Sequence, residues 1–236
     1  MTLVELLVVL SVIGVLAGIL MPTLAKSMAS ARQIRCMSNL KQLGLAAQMY
    51  WGDSDGEAFR WRRGATNGGQ VYWFGWLQSG AEGSRRFDPS FGALYPYLSG
   101  RGVEVCPAFS YVNPNLKLKA AGSSFGYGYN LNLSAPAPQP PVIARNLRDS
   151  ARTALFADCA QINTFQAPAT PAHPMLEEFY YFNAQESTVH FRHGGLALTV
   201  FCDGHIGKEK PLTGSLDARL PGQMVGRLRP EILAAE

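Results

Sequence analysis

The chain has 236 residues, of which 47% are hydrophobic and 16% are charged. A chain of this length can bury one sizeable core, and its low charge content excludes a disordered polyelectrolyte. The formal net charge of +4 is a mild excess that could favour anionic surfaces, although ordinary surface variation explains it more simply. The 24 glycines and 15 prolines predict a loop-rich body with short strands and argue against a helical bundle.

Residues 1–21 form a nearly unbroken apolar segment in which Glu5 is the only ionisable side chain. About 20 apolar residues in a helix are enough to span a bilayer core of roughly 30 Å. A cleaved secretory signal would instead carry a basic stretch and a shorter apolar region that ends in small residues. We therefore predict a membrane-spanning helix, and we expect that a basic leader preceded residue 1 and has been removed.

Glu5 is the anomaly of this segment, because a carboxylate in an apolar helix is costly to bury and usually marks a partner or a function. Its place in the first helical turn is favourable, since the helix dipole stabilises negative charge there. In an array of identical subunits, the amino group of Met1 on a neighbouring copy could pair with this carboxylate. A carboxylate that reaches the membrane surface of an ordinary anchor explains Glu5 equally well, so the residues alone leave both interpretations open.

The predicted helix continues beyond the apolar segment. Pro22 lacks a backbone donor and should kink or locally unwind the helix. After it the pattern becomes amphipathic, which predicts that residues 23–52 pack one stripe against a globular head. The helix signals stop at Gly52, and the following DSDG reads as a turn. The predicted apolar stripe is Cys36, Leu40, Leu43, Ala47 and Tyr50, and the opposite face carries Ser38, Lys41 and Gln48.

The segment MTLVELLVVLSVIGVLAGILMP resembles the N-terminus of mature type IV pilins and of type II secretion pseudopilins. The matching features are an apolar first residue, Thr2, Leu3, Glu5, the Leu/Val/Ile run and Pro22; Met1 stands where Phe is commoner. The resemblance implies leader cleavage and N-methylation at Met1, with Glu5 aiding filament assembly. It implies an α+β pilin fold in which a long helix packs on an antiparallel β-sheet head with long loops. Residues 1–52 would be the helix, with 1–22 as its membrane or filament-core half, and residues 53–236 the head.

A second resemblance covers the head. The segment FRHGGLALTVFCDGH is similar to the signature of large-headed pilin-like proteins common in Planctomycetes and Verrucomicrobia. RQIRCMSNLKQLGLAAQMYWGDSDG resembles the end of their long helix, and Cys106-Pro107 and YGYN at 127–130 resemble their mid-chain landmarks. Leu198 departs from the family, which often has Asn there, and Cys159 and Cys202 stand where Ser or Ala is common. This resemblance informs the fold more than the task.

The stretch from Phe59 to Leu77 mixes basic and aromatic residues. Such interleaving can hold single-stranded nucleic acid or sugars. The simpler interpretation is a β-hairpin that turns at Asn67-Gly68-Gly69 and carries aromatic side chains on its core face. The candidate contact residues are Arg60, Trp61, Arg62, Arg63 and Trp73.

The C-terminal part contains three predicted strands that glycine turns join into an antiparallel meander. The strands are 153–159, 187–193 and 196–205, and the turns are Gly194-Gly195 and Asp203-Gly204. The meander would place Cys159 and Cys202 at similar ends of two strands. The four cysteines are too far apart in sequence for a CxxC motif, and they suit disulfides if the head lies outside the cytoplasm. We predict the pairs Cys36–Cys106 and Cys159–Cys202, with buried thiols as the alternative.

Other candidate sites are weaker. His193, Asp203 and His205 could bind a divalent metal if the hairpin joins them, although Asp203 capping its own turn is the simpler interpretation. Asp53, Asp55 and Glu57 could hold Ca²⁺, and the resemblance to major pseudopilins implies a calcium site, but the stretch lacks the full spacing of a calcium loop. Asn132-Leu133-Ser134 matches a glycosylation sequon. The proline-rich segments 134–141 and 167–174 are candidate subunit-contact loops.

The leading hypothesis is a non-enzymatic structural subunit, because no Ser/His/Asp arrangement, phosphate loop or acidic dyad stands out. A major pilin would polymerise with itself and move from the inner membrane to an extracellular filament. Its expected partners are a prepilin peptidase, a platform protein and an assembly ATPase system. The alternatives are a periplasmic type II secretion pseudopilin and a DNA-binding or adhesive minor pilin. No cofactor is expected, with a structural Ca²⁺ as the exception.

Overall fold

The computed structural model describes residues 2–121, 125–134 and 139–234. Its first element is the single helix α1, Leu3–Asp53. A capping box starts it, in which the Thr2 hydroxyl accepts from the Glu5 amide and the Glu5 carboxylate accepts from the Thr2 amide at 2.7 Å. The backbone stays helical through Pro22, so the local unwinding predicted there does not occur in the isolated subunit. The helix ends one residue beyond Gly52, and the DSDG turn follows with Asp55 at φ 52°.

Two halves of α1 have different surroundings. Every described side chain before Cys36 is exposed or half-buried, and the stripe that begins at Cys36 is buried against the head. Gly44 marks a close approach of the helix to β12, because a β-carbon there would lie 2.7 Å from Cγ2 of Val200. Lys41 and Gln48, predicted to face away, instead donate to the Gly204 and Cys202 carbonyls at 2.7 and 3.1 Å. The buried positions are Cys36, Asn39, Leu40, Leu43, Gly44, Ala46, Ala47 and Trp51.

Short strands and 3-10 turns make up the described part of the head. The strands are β1 (Arg62–Thr66), β2 (Gly69–Tyr72), β3 (Gly75–Gln78), β4 (Phe87–Asp88), β5 (Leu116–Lys117), β6 (Tyr127–Asn130), β7 (Ala154–Asp158), β8 (Ala160–Asn163), β9 (Met175–Glu178), β10 (Tyr181–Phe182), β11 (Val189–His190), β12 (Ala197–Phe201), β13 (Ile206–Glu209) and β14 (Val225–Gly226). The 3-10 turns are Pro89–Phe91, Tyr95–Leu98, Leu131–Leu133, Ala144–Asn146, Pro221–Gln223 and Pro230–Ile232. This α+β composition confirms the predicted fold class.

The central sheet has the order β10-β6-β7-β12-β13 and supports the helix. Its neighbours are antiparallel except for the parallel pair β10–β6. Every residue of β7 and β12 is buried, because α1 covers one face of the sheet and the C-terminal segment covers the other. Leu155, Leu198 and Val200 face the helix side, while Ile232 and Leu233 pack on the opposite side.

Three smaller sheets complete the described head, with orders β1-β2-β3-β4, β5-β9-β8 and β11-β14. The β1–β2 hairpin turns at Asn67 and Gly68, whose φ angles are 50° and 71°, which confirms the predicted hairpin. The predicted strands at β7 and β12 and the hairpin turn at Asp203-Gly204 are confirmed, and the predicted place of β11 in the same meander is wrong. Val189 and His190 of β11 instead pair with β14 near the C-terminus. Gly194 and Gly195, both at positive φ, turn the chain between β11 and β12, and these two strands do not pair.

Candidate functional site

A disulfide joins the helix to the head at the residue where burial begins. Cys36 and Cys106 are bonded, with their Cα atoms 4.9 Å apart at a sequence separation of 70, which confirms this predicted pair. Both residues are fully buried. Asn39, one helical turn later, donates to the Val105 carbonyl at 2.9 Å and holds the same loop against α1. The junction is therefore covalent and hydrogen-bonded at once.

Asp158 organises a buried polar cluster behind this disulfide. Its carboxylate accepts from the Leu198 amide at 2.8 Å and lies 3.3 Å from Nε2 of His193 and 3.6 Å from Nε of Arg192. His193 Nε2 in turn lies 3.6 Å from Sγ of Cys106. Arg192 and His193 of the FRHGG segment thus connect Asp158, at the end of β7, to the loop that carries Cys106. No local pattern indicates the role of Asp158, because its partners Arg192, His193 and Leu198 lie far from it along the chain.

The apolar half of α1 is the largest exposed hydrophobic surface of the described chain. Leu3 is 80% exposed and Met21 is 71% exposed, and the apolar side chains between them are exposed all around the helix. By length and composition this segment can cross a membrane. A helix that is apolar on every side is stable only where something other than water surrounds it. Met1, the predicted processing site and partner of Glu5, lies outside the described residues.

The predicted Cys159–Cys202 disulfide is wrong, and both cysteines are buried free thiols. Cys159 follows β7 and Cys202 follows β12. Because these neighbouring strands are antiparallel, the two cysteines lie at opposite ends of the strand pair. The two side chains also belong to the cores on different faces of that sheet. Burial raises the pKa of the Cys202 thiol to about 12, and it raises the pKa of Cys159 further, so neither is a reactive thiolate.

The predicted metal triad is not assembled. His193 lies before β12 and contacts Asp158, whereas Asp203 and His205 lie in the turn after β12. Asp203 caps that turn by accepting from the His205 amide at 3.0 Å, and the His205 ring contacts the same carboxylate at 2.7 Å. Among the described residues, one potential ligand group has its atoms within 4.8 Å of one another, namely Cys36, Cys106 and His193. Its two sulfurs are joined in the disulfide.

The remaining polar candidates have local partners. Asp53 accepts from the Tyr97 hydroxyl at 2.9 Å, and Asp55 occupies a left-handed turn position. The structure does not bring oxygens of Asp53, Asp55 and Glu57 within 4.8 Å of one another, so it supplies no three-carboxylate calcium site there. The side-chain amide of Asn132, the atom that a glycan would occupy, donates to the Leu233 carbonyl at 2.8 Å. Of the proline-rich segment 134–141, residues 135–138 lie outside the described residues.

The basic and aromatic residues near β1 do not share one exposed face. Trp73 is fully buried and its indole donates to the Tyr180 carbonyl at 2.8 Å, so it cannot contact an outside ligand. Trp61 is half-buried and stacks on the ring of Tyr180 at 6.0 Å between centroids. Arg62 lies 5.0 Å above the Trp61 ring. Arg60 and Arg63 donate to the carbonyls of Gln139 and Phe91. The pattern is that of an aromatic core with a basic outer edge, which the simpler interpretation predicted.

Comparison of the chain with protein-family models, with curated proteins and with solved structures finds no match. The architecture is a long apolar N-terminal helix followed by a sheet-rich head, and it fits a pilin-like arrangement.

Proposed function

We propose that this chain is the major structural subunit of an extracellular type IV pilus-like filament, assembled from the inner membrane by packing of its N-terminal helices. The observation that carries the proposal is the apolar half of α1, which projects from the head with its side chains exposed on every side. Residues 3–21 of this half would extend roughly 29 Å at 1.5 Å per residue, close to the thickness of a bilayer core. Such a segment can pass from a bilayer to a bundle of identical helices without contacting water.

Assembly would bury this surface against copies of itself, and hydrophobic burial would supply most of the cohesion. Within the subunit, the Glu5 carboxylate already accepts from the Thr2 amide at the helix start. In the filament we propose that it also pairs with the processed amino group of Met1 on a neighbouring subunit, which fixes the axial register. The same proposal includes cleavage by a prepilin peptidase and delivery through a platform protein and an assembly ATPase.

The head is proposed to lie on the outside of the filament and beyond the cytoplasm. The Cys36–Cys106 disulfide supports this location, because structural disulfides persist in oxidising compartments. The burial of Trp73 weighs against the head acting as a nucleic-acid grip through the stretch around β1. A periplasmic pseudopilin of a secretion system is the second candidate, and the same exposed helix would suit it.

Electron microscopy of sheared surface appendages, followed by peptide mass mapping, tests the proposal. We expect long filaments in which this chain is the bulk protein, starting at a methylated Met1. Short periplasmic assemblies that contain the chain would favour the pseudopilin. Recovery of the chain in membrane fractions alone, from cells grown under filament-forming conditions, would refute both forms of assembly.

A further inference from the structure

A cleft of about 560 Å³ opens in the head, away from the helix junction. We call it the head cleft and define it by Tyr72, Arg85, Lys119, Phe165, Tyr180 and Thr188. These residues come from segments that are distant in sequence and meet beside the β5-β9-β8 sheet. The volume lies within the range of roughly 300–1,000 Å³ that small-molecule sites occupy.

A cluster of buried charges forms the floor of the head cleft, which Glu82, Arg85 and Lys119 line directly and Lys117 and Glu177 support from below. Lys117 and Lys119 lie 3.1 and 2.9 Å from the same oxygen of Glu177. Arg85 pairs with Glu82 at 2.5 Å, and Lys117 also contacts Glu82. None of these five side chains is more than 15% exposed. Three cations face two carboxylates, so one positive charge is left over in a region shielded from water.

The neighbouring carboxylates act on this excess less directly, since Glu178 favours the charged ammonium of Lys119 from beyond the five side chains of the cluster. Glu178 follows Glu177 in β9 and points to the opposite side of the strand, where it accepts from the Phe125 and Gly126 amides at 3.2 Å each. At the rim, Asp217 is bound by Arg219 at 2.5 Å, and Glu186 is exposed to solvent. An anion in the cleft would therefore complete the charge balance of the floor.

Burial makes that balance energetically important. Burial lowers the pKa of Lys119, and the nearby Glu177 carboxylate opposes this effect by favouring the charged ammonium. For Glu177, burial alone would raise the pKa, but Lys119, Asn163 and Lys117 together hold it below its ordinary value. The ionised state of the floor thus depends on its charged partners.

Thr188 provides an unused polar group at the same place. It is 3% exposed and lines the head cleft, and its hydroxyl has no hydrogen-bond partner among the described residues. A buried hydroxyl without a partner is costly unless a ligand or water satisfies it. The walls are aromatic: Lys119 lies 5.2 Å from the ring centroid of Tyr180, and Phe165, at 70% exposure, stands at the edge.

We propose that the head cleft binds a small ring-shaped molecule with a single carboxylate, as in an acidic sugar or an aromatic acid. The carboxylate would accept hydrogen bonds from the planar guanidinium of Arg85, from the ammonium of Lys119 and from the Thr188 hydroxyl. The ring would stack on Tyr180 and Phe165. One negative charge matches the one positive charge in excess, which favours a carboxylate over a doubly charged phosphate monoester. This binding activity goes beyond the filament role and does not depend on it.

Calorimetric titration of the detergent-solubilised full chain tests the proposal. The probes are D-glucuronate and benzoate, with D-glucose and benzyl alcohol as neutral counterparts and inorganic phosphate as a separate arm. We expect saturable binding of at least one carboxylate and at least about tenfold weaker binding of its neutral counterpart, as loss of a charge-assisted hydrogen bond predicts. Tighter binding of glucuronate would indicate an acidic sugar as the ligand, and tighter binding of benzoate an aromatic acid. Either outcome supports the proposal.

Three variants locate the binding. Arg85→Gln should weaken carboxylate binding about tenfold or more, and Thr188→Val about threefold or more. Arg62→Gln removes an exposed positive charge outside the head cleft and should leave binding unchanged. If Arg85→Gln does not fold, Thr188→Val still decides, since its hydroxyl has no partner to lose. The proposal is overturned if no carboxylate binds saturably, if phosphate alone binds, if the neutral counterparts bind equally well, or if the two cleft variants bind like the wild type.

Discussion

Residues 3–35 and residues 36–51 of α1 form one uninterrupted helix, yet different forces hold them in place. The second part is fixed by the disulfide, by the stripe on β12 and by hydrogen bonds from Lys41 and Gln48. The first part has a capped start, and none of its described side chains is buried. Its contact with the head at Arg35, 4.0 Å from Glu104, joins two exposed side chains. Helix stability in proteins comes mainly from such packing. The first part therefore lacks the packing that holds the second part, and this is where our proposal places a membrane or other subunits.

The largest effect is expected at Glu5, the one ionisable side chain of residues 3–21, the apolar part of α1. Glu5→Gln should reduce sheared filaments by more than about tenfold, because losing one partner of a buried charge pair costs roughly 3–5 kcal/mol. The amount of filament protein, measured by quantitative immunoblot of the sheared fraction, checks this. Thr2→Ala is the control, since it removes the capping hydroxyl at a cost of about 1 kcal/mol and keeps the carboxylate. A normal filament yield from Glu5→Gln would contradict the proposed pairing of Glu5 with Met1.

The head-bound part should lose most from opening the disulfide. Replacing Cys36 and Cys106 together by Ala should lower the free energy of unfolding of the head by about 4 kcal/mol, since the bond closes a loop across a 70-residue separation. Denaturant titration followed by tryptophan fluorescence measures this, because all four tryptophans, Trp51, Trp61, Trp73 and Trp76, lie outside the apolar part. A Cys159→Ala, Cys202→Ala variant keeps the bond and should retain the full response to a reducing agent. Equal stability of that variant with and without reductant would contradict the prediction.

A smaller effect separates glycines in the two parts of the helix. Gly44→Ala places a methyl group 2.7 Å from Val200. Because the neighbouring side chains must shift to make room, the free energy of unfolding of the head should fall by about 1–3 kcal/mol. Gly18 lies in the apolar part with open space around it, so Gly18→Ala is the matched control and should leave head unfolding unchanged. The same fluorescence titration compares them. If both variants unfold alike, the close contact between α1 and β12 is not a source of head stability.

The smallest change is one of reactivity. Alkylation of the denatured, unreduced chain should modify Cys159 and Cys202 only, and the folded chain should be modified at neither, because both thiols are buried with raised pKa values. Peptide mass mapping counts the labels, and reduction before alkylation provides the four-label control. Labelling of Cys36 without reduction would show that the helix and the head are not covalently joined.

The sequence was sufficient where a local pattern decides the structure. The apolar run, the stripe from Cys36 to Ala47 and the glycine turns at Asn67-Gly68 and Asp203-Gly204 predicted the helix, its contact face and two hairpins. The stripe also placed Cys36 toward the head, which made its pairing with Cys106 predictable. Each of these depends on residues near one another in sequence, where spacing determines which side chains share a face.

Long-range pairing was beyond the sequence. Whether Cys159 and Cys202 lie at the same end of their sheet depends on the relative direction of β7 and β12. The pairing of β11 with β14 depends on a segment more than 30 residues away. The Asp158 cluster and the head cleft are built from segments that only the folded chain brings together. Lysines and glutamates in such segments resemble ordinary surface residues, because nothing local indicates that their charges become buried.

The position of the disulfide also decides how force would travel through a filament. A pull on the head reaches residue 36 of the helix directly from residue 106, so the segment between the two cysteines lies outside the covalent load path. In the oxidised chain that segment cannot be extended by stretching, which hides a contour length of roughly 240 Å. The disulfide thus shields the segment between the two cysteines from tension that enters the chain beyond residue 106.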